Sequence, residues 1–155
     1  MDYVGILKQL IAIDTSVPPG HNYAETIQYL EPLFREVGFE TCQINIPSEH
    51  ANGYDGRVNL ICHRRYQGKP RLVVYAHIDV VPAVDWNAFE PRVEGDRIYG
   101  RGAADMKGAV VAFLLGLEMV KGRPLKYDTS IMVTTDEELG QASQLRYLAR
   151  YLEPL

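Results

Sequence analysis

The stretch that decides the fold class is the apolar run Leu72-Val-Val-Tyr-Ala76, which leads directly into His77. A continuous apolar run of this kind is typical of a strand covered on both faces, as in a sheet that lies between layers of helices. We therefore predict a buried strand within residues 71–79, with a layer of helices on each side of its sheet.

Helices and strands alternate on either side of this run. Apolar residues at helical spacing from Tyr3 to Ile11 predict an amphipathic helix, and a similar stripe predicts a second helix that ends before Gly38. The predicted elements are helices at 3–11 and 23–37, strands at 40–46, 58–63 and 71–79, a helix at 106–120, a strand at 129–135 and a helix at 141–152. This alternation predicts an α/β fold, a three-layer α/β/α sandwich with a mixed, mostly parallel sheet.

Composition and charge argue against several classes of function. The 155 residues suit one domain, and a formal net charge of −4 disfavours nucleic acid and anionic membranes as partners, since both need a basic surface. No apolar run approaches the ~20 residues of a membrane span, and the N-terminus lacks the basic start and cleavage site of a signal peptide. Cys42 and Cys62 have no CxxC spacing, so we expect structural thiols and a reducing, cytoplasmic setting.

The first group of candidate functional residues directly follows the apolar run. His77 and Asp79 are two residues apart, so both side chains are expected on the same side of the chain. A carboxylate that binds one ring nitrogen of a histidine leaves the other nitrogen free for a metal ion. The position at the carboxyl end of a strand is also where sites gather in α/β proteins. The alternative is a surface His–Asp pair in a loop.

The second group is the segment Gly100-Arg-Gly-Ala-Ala-Asp105, which leads into a strongly apolar helix. Its two glycines permit a close approach of the backbone. Asp105 could cap the N-terminus of this helix, which aspartate does well. It could also be a bridging carboxylate, because its two oxygens can each bind one ion of a two-metal site.

The third group is the acidic run Asp136-Glu137-Glu138, which comes directly after a predicted strand. Three adjacent carboxylates repel one another and favour a positive charge nearby, which a metal ion would supply. The alternative is a solvated acidic turn. Each group has such an alternative, but the three groups in this order, each after a strand, favour a metal site.

These blocks resemble the M20 metallopeptidase family, the group that includes acetylornithine deacetylase, succinyl-diaminopimelate desuccinylase, aminoacylase and glutamate carboxypeptidase. The matching text is AHIDVVP at 76–82, then Trp86 and Phe89, IYGRGAADMKGA at 98–109 and TTDEELG at 134–140. The resemblance extends from the Pro-Pro-Gly loop at 18–20 to the last predicted helix, and it implies the fold of a zinc peptidase.

The resemblance also implies a role for each candidate residue. His77 would bind one zinc ion, Asp105 would bridge two and Glu138 would bind the other, while Co or Mn could take the place of zinc. Glu137 would be the general base and Asp79 would orient His77. A cis peptide bond would follow Asp105.

The resemblance further implies parts that residues 1–155 do not contain. Family members carry one more carboxylate ligand, a lid domain often used for dimerisation and a final histidine ligand. We therefore expect residues 1–155 to be the N-terminal portion of the catalytic domain, with the lid domain and the C-terminal part of the catalytic domain absent. Glu153 is too close in sequence to Glu138 to be the further carboxylate.

The predicted function of the full-length protein is zinc-dependent hydrolysis of an amide bond in an N-acyl amino acid or small peptide. A homodimer is the expected form, and residues 1–155 alone are expected to have little or no activity. Two alternatives remain open: a truncated, non-catalytic relative that serves as a binding or regulatory module, and a two-zinc aminopeptidase with the same sandwich fold. The Gly100–Gly108 block fits the M20 family better than the second of these.

Overall fold

The centre of the structure is a four-stranded sheet. A computed structural model of the chain describes residues 1–84, 86–140 and 142–152. Its strands are, in chain order, β1 (Glu40–Asn45), β2 (Val58–Arg64), β3 (Arg71–His77), β4 (Arg92–Glu94), β5 (Arg97–Tyr99) and β6 (Asp128–Thr134). The central sheet has the order β1-β2-β6-β3, and β4 and β5 form a separate hairpin.

The sheet is mixed, as predicted, but the prediction of a mostly parallel sheet is wrong for the described residues. β1 pairs antiparallel with β2 and β2 pairs antiparallel with β6, whereas β3 and β6 are parallel. Each strand's apolar pattern shows which faces are covered but carries no direction, so strand direction follows from the connections. In the parallel pair His77 lies opposite Thr134, so β3 and β6 end at the same edge of the sheet.

The helices cover both faces of the sheet, which confirms the predicted α/β/α sandwich. They are α1 (Tyr3–Ala12), α2 (Tyr23–Glu36), α3 (Lys107–Met119) and α4 (Ala142–Ala149). The first three pack on one face, where Leu60 and Cys62 of β2 join their apolar core. Ile61, between them in sequence, points to the opposite face and packs in a second core with Leu148 of α4. Among the described residues, no helix is both long and apolar enough to cross a membrane.

Most element boundaries lie within one or two residues of the prediction, and the last helix departs most. α4 ends at Ala149 rather than at 152, and the predicted start at Gln141 lies outside the described residues, as does Glu153. The β4–β5 hairpin was not predicted. Its two-residue turn, Gly95-Asp96, has glycine at a positive φ of 62°, which is a recognisable hairpin signal.

The strand that decides the fold class lies at the edge of the described sheet. β3 pairs only with β6 there, and Leu72, Val73 and Tyr75 are 41%, 41% and 39% exposed. Ala76, which points to the opposite face from Tyr75, is buried in the core beneath the helices. The prediction that β3 is covered on both faces is therefore wrong within the described residues. An apolar run shows that a surface needs a cover but does not identify which segment supplies it.

Candidate metal centre

The shared edge of β3 and β6 brings the three predicted groups together. His77 is the last residue of β3. Glu137 and Glu138 lie in a one-turn 3-10 helix, Glu137–Leu139, that follows β6. Asp105 lies two residues before the start of α3 and reaches the same place. Strand pairing and the loop before α3 thus bring together side chains that are up to 61 positions apart in sequence, from His77 to Glu138.

His77 is the centre of this group. Its Nε2 atom lies 3.2 Å from Asp105 Oδ1 and 3.7 Å from Glu137 Oε2. His77, Glu137 and Glu138 each offer one ligand atom, and these atoms lie within 4.8 Å of one another. One imidazole and several carboxylates are ligand types that zinc and related divalent ions accept. The donor set therefore fits a divalent metal ion.

Asp79 lies on the other side of the His77 ring from Asp105. Its backbone oxygen is 3.1 Å and its Oδ1 atom 3.4 Å from His77 Nδ1, and the aspartate is fully buried. Its second oxygen, Oδ2, accepts a hydrogen bond of 2.9 Å from the backbone N–H of Glu138. One buried carboxylate thus contacts both the imidazole and the backbone of a predicted metal ligand, which is the arrangement needed to orient them.

The charges of the group shift its proton affinities. Burial by itself lowers the pKa of His77, but the hydrogen bond and charge of Asp79 and the charge of Glu137 raise this pKa to about 9. Burial raises the pKa of Glu138, and the neighbouring carboxylates raise it further, while His77 opposes that rise. These directions show negative charge concentrated at one point, which a divalent cation would neutralise.

Asp105 does not cap a helix. Met106 is the N-cap residue of α3, and the Asp105 side chain is 79% exposed and faces His77. The bond between Asp105 and Met106 is cis, as the resemblance to the M20 family implied. Lys107 anchors this segment: it is fully buried, and its Nζ donates to the carbonyls of Leu10 at 2.9 Å and Ile13 at 2.8 Å. Burial lowers the pKa of Lys107 to about 8.

The acid turn, which we define as Thr135–Glu138, differs from the sequence-based interpretation at one residue. Asp136 is fully buried and forms an ion pair with Arg57. Its carboxylate accepts hydrogen bonds from Tyr23 Oη at 2.7 Å, Arg57 Nε at 2.7 Å and Gln144 Nε2 at 3.0 Å. Only two of the three acids are therefore available to a metal ion, since an arginine already neutralises the first.

Arg57 was not recognised from the sequence. It lies 79 positions before its partner and directly before β2, and no local pattern marks it. Its side chain is only 3% exposed, and a guanidinium is almost never fully buried without a partner. Only the folded chain shows that the partner of Arg57 is Asp136.

Comparison with known proteins identifies the family of the chain. Residues 73–153 match the family described as Peptidase family M20/M25/M40. The chain belongs to this family. A succinyl-diaminopimelate desuccinylase of Rickettsia canadensis is 35% identical over 158 residues, which cover 94% of this chain and 39% of that protein. The enzyme of the same name from Wolbachia pipientis is 30% identical over 145 residues, which cover 89% of this chain and 34% of that protein.

Solved structures share the fold of this chain. Human carnosine dipeptidase 1 superposes with a TM-score of 0.82 at 18% identity, over 96% of this chain and 35% of that chain. Sso-CP2, an M20 family metallo-carboxypeptidase from Sulfolobus solfataricus, also superposes with a TM-score of 0.82. The identity is 22%, over 97% of this chain and 34% of the Sso-CP2 chain. The chain thus spans little more than a third of the length of the relatives that it matches.

Proposed function

We propose that the protein carrying this chain is a metal-dependent hydrolase that cleaves an amide bond of an N-acyl amino acid or small peptide. The observation that carries this proposal is the convergence of His77, Glu137 and Glu138 at one edge of the sheet, with their ligand atoms within 4.8 Å of one another. Membership of the M20 family supports the reaction class. Relatives named as desuccinylases and dipeptidases support the substrate class, since both names describe cleavage of an amide bond.

In this proposal the chain's residues hold and use two zinc ions, with Co or Mn as substitutes. His77 and Asp105 would hold one ion and Asp105 and Glu138 the other. Bound zinc would supply Lewis-acid chemistry, which acidifies water and polarises the scissile carbonyl. Asp79 would keep the His77 ring oriented from the Nδ1 side, where it lies in the structure.

Glu137 would be the general base. Its side chain is 45% exposed, and its Oε2 atom lies 3.7 Å from His77 Nε2, so the carboxylate faces the space beside the ligands. From this position it can take a proton from the attacking water and pass it to the leaving amine. Although geometry alone would let Glu137 bind the ion itself, we assign it the proton transfer because the M20 resemblance implies that role.

Replacing Glu137 by alanine in the full-length protein tests this assignment. We expect a loss of turnover of roughly 10²–10⁴-fold with zinc content unchanged, because a proton carrier and not a ligand is removed. Glu49→Ala is the matched control, because Glu49 is an exposed glutamate in another one-turn helix, Ser48–His50. Retained turnover would contradict the role, and loss of zinc would make Glu137 a ligand instead.

The proposal also covers the organisation of the whole protein. We propose that residues 1–155 form the N-terminal portion of the catalytic domain, that further ligands and a lid domain lie elsewhere in a homodimeric, cytoplasmic protein, and that the 155-residue chain alone is inactive. The two thiols, neither of which forms a disulfide, agree with a reducing setting. Zinc-dependent hydrolysis of N-acyl amino acids by the isolated chain would contradict its inactivity. Zinc binding by the full-length protein without turnover of N-acyl amino acids or small peptides would favour a non-catalytic binding module.

A further inference from the structure

We propose that Arg57 and Asp136 form a positioning pair that directs Glu137 and Glu138 towards the metal centre. Neither residue contacts the predicted ligand atoms. The pair instead fixes the backbone of the acid turn, from which the predicted general base and one predicted ligand extend. This inference rests on the proposed function only in assuming that these carboxylates serve a metal ion.

The contacts of Asp136 show how firmly the turn is held. Its carboxylate accepts hydrogen bonds from three different parts of the fold: Tyr23 at the start of α2, Arg57 before β2 and Gln144 in α4. Its backbone is in the left-handed region, with φ of 62°, where aspartate is one of the few residues besides glycine that is found. Because Glu137 follows directly, the direction in which it leaves the turn depends on this conformation.

The neighbours of Asp136 are held in the same way. The backbone N–H of Thr135 donates to Asn59 Oδ1 at 2.7 Å, and that of Glu138 donates to Asp79 Oδ2 at 2.9 Å. The acid turn is therefore fastened on both sides of Glu137. A shift at Asp136 would be transmitted to Glu137, whose own side chain is 45% exposed.

The contacts of Arg57 extend this support to other segments around the centre. Its Nη2 atom donates to the carbonyl of Pro19 at 2.5 Å and its Nη1 atom to that of Asp55 at 3.0 Å. The guanidinium also lies over the ring of Tyr54, 4.5 Å from its centroid. The loop that contains Pro19 in turn pairs with the segment after β3, where the N–H of Val17 donates to the carbonyl of Val80 at 3.0 Å. One buried cation thus joins the acid turn to the loop beside the His77 segment.

The charges of the pair have a second consequence. Without Arg57, the acid turn would carry three negative charges, one of them buried. The positive charge of Arg57 balances the negative charge of Asp136, and the carboxylates of Glu137 and Glu138 remain for the metal ion. Removing one member of a buried pair leaves an uncompensated charge, whereas removing both leaves none. A double variant therefore avoids the loss of stability caused by a buried charge, and any change at the metal centre that persists in it is an effect on geometry.

The test uses the full-length protein with cobalt(II) as the probe, since its visible absorption reports ligand geometry. The variants are R57M, D136N, R57K and the double variant R57M/D136N. The control is R35M, which removes an arginine from an exposed ion pair with Glu31 of the same 2.7 Å length. Cobalt spectra, cobalt affinity and thermal unfolding are measured for each, together with kcat and KM for an N-acyl amino acid.

We expect R57M and D136N to alter the cobalt spectrum, weaken cobalt binding at least tenfold and lower kcat at least tenfold, with KM changed less than about threefold. R57K should be intermediate, because lysine keeps the charge but cannot make all three guanidinium contacts. The double variant should unfold at a higher temperature than either single variant and still show the altered spectrum. R35M should match the unmodified protein.

An unaltered cobalt spectrum in the double variant would overturn the proposal, because the pair would then contribute only to folding. If R57M does not fold, the cobalt spectrum of D136N tests the proposal instead, and an unaltered spectrum would overturn it. If the unmodified protein binds cobalt but hydrolyses nothing, the proposed function fails while the spectra still test the positioning pair.

Discussion

At the scale of single residues, His77 is where burial and charge oppose each other. Burial favours the neutral ring, but Asp79 and Glu137 favour the imidazolium, and the resulting pKa is about 9. A protonated imidazole cannot bind a metal ion through the same nitrogen. In the metal-free protein His77 is therefore charged at neutral pH, and a metal ion must displace its proton.

We predict from this that metal binding releases protons below pH 9. The apparent affinity for zinc should fall about tenfold per pH unit as the pH is lowered below about 9, and should level off above it. Calorimetry in two buffers of different ionisation enthalpy measures the released protons. In Asp79→Asn the pH below which the zinc affinity falls should be lower, because the main group that raises the His77 pKa is then uncharged. An affinity that is constant between pH 6 and 9 would contradict the prediction.

The same shift contributes to the pH dependence of the stability of the metal-free protein. The pKa of His77 in the folded chain lies above its ordinary value of 6.5. Its contribution to stability is therefore fully present below pH 6.5 and is lost as the pH rises through about 9. Chemical denaturation of the metal-free protein at pH 6 and pH 9, with and without His77→Asn, measures this loss.

At the scale of elements, α3 is packed closely against the loop that carries Asp105. A Cβ atom at Gly108, in the first turn of α3, would lie 2.0 Å from the carbonyl oxygen of Ala103. This neighbour is backbone and cannot rotate away. The absence of a side chain at Gly108 therefore allows the helix to approach the 101–106 segment and to place Asp105 beside His77.

Gly108→Ala should destabilise the protein by about 1–3 kcal/mol, because the helix and the loop must separate. We also expect weaker metal binding, since Asp105 moves with the loop. Gly116→Ala in the same helix is the matched control: no atom lies within 4 Å of its added Cβ, and alanine should stabilise the helix by about 0.5–1 kcal/mol. Equal stability changes in the two variants, measured by chemical denaturation, would contradict this account.

At the scale of the whole molecule, the prominent feature of the described residues is the apolar edge at β3. Leu72, Val73 and Tyr75 are each about two-fifths exposed along a strand that has one neighbour in the described sheet. Apolar side chains on an unpaired strand edge favour association with another chain. The 155-residue chain in isolation is therefore expected to self-associate through β3.

A lysine at this edge should suppress that association. We predict that the isolated chain shows concentration-dependent sedimentation and that Val73→Lys sediments as a monomer, because charge on an edge strand opposes pairing. Val4→Lys is the control, since Val4 is 49% exposed but lies on α1. If Val4→Lys suppresses association equally, the effect is one of net charge and not of the β3 edge.

Amino-acid patterns by themselves determined much of this protein. Helical spacing and apolar runs are local properties. The order of most helices and strands, the layered fold class and the position of the first and third candidate groups after a strand therefore follow from short windows of sequence. Residue types suggested a metal site in each candidate group, and the resemblance to the M20 family selected His77, Asp105, Glu137 and Glu138 within those groups. The structure brings these four side chains together.

Only the tertiary structure decided the features that depend on partners far away in sequence. Asp136 resembles its two acidic neighbours until Arg57, 79 positions away, is placed against it. The Leu72–Ala76 run requires a cover, but its place at the edge depends on which strands pair with it. The antiparallel pairing of β2 with β6 likewise depends on how the chain returns to the sheet. The physical reason is the same in each case: hydrogen bonds, ion pairs and strand pairing act through space, and a local pattern shows which groups need partners without specifying those partners.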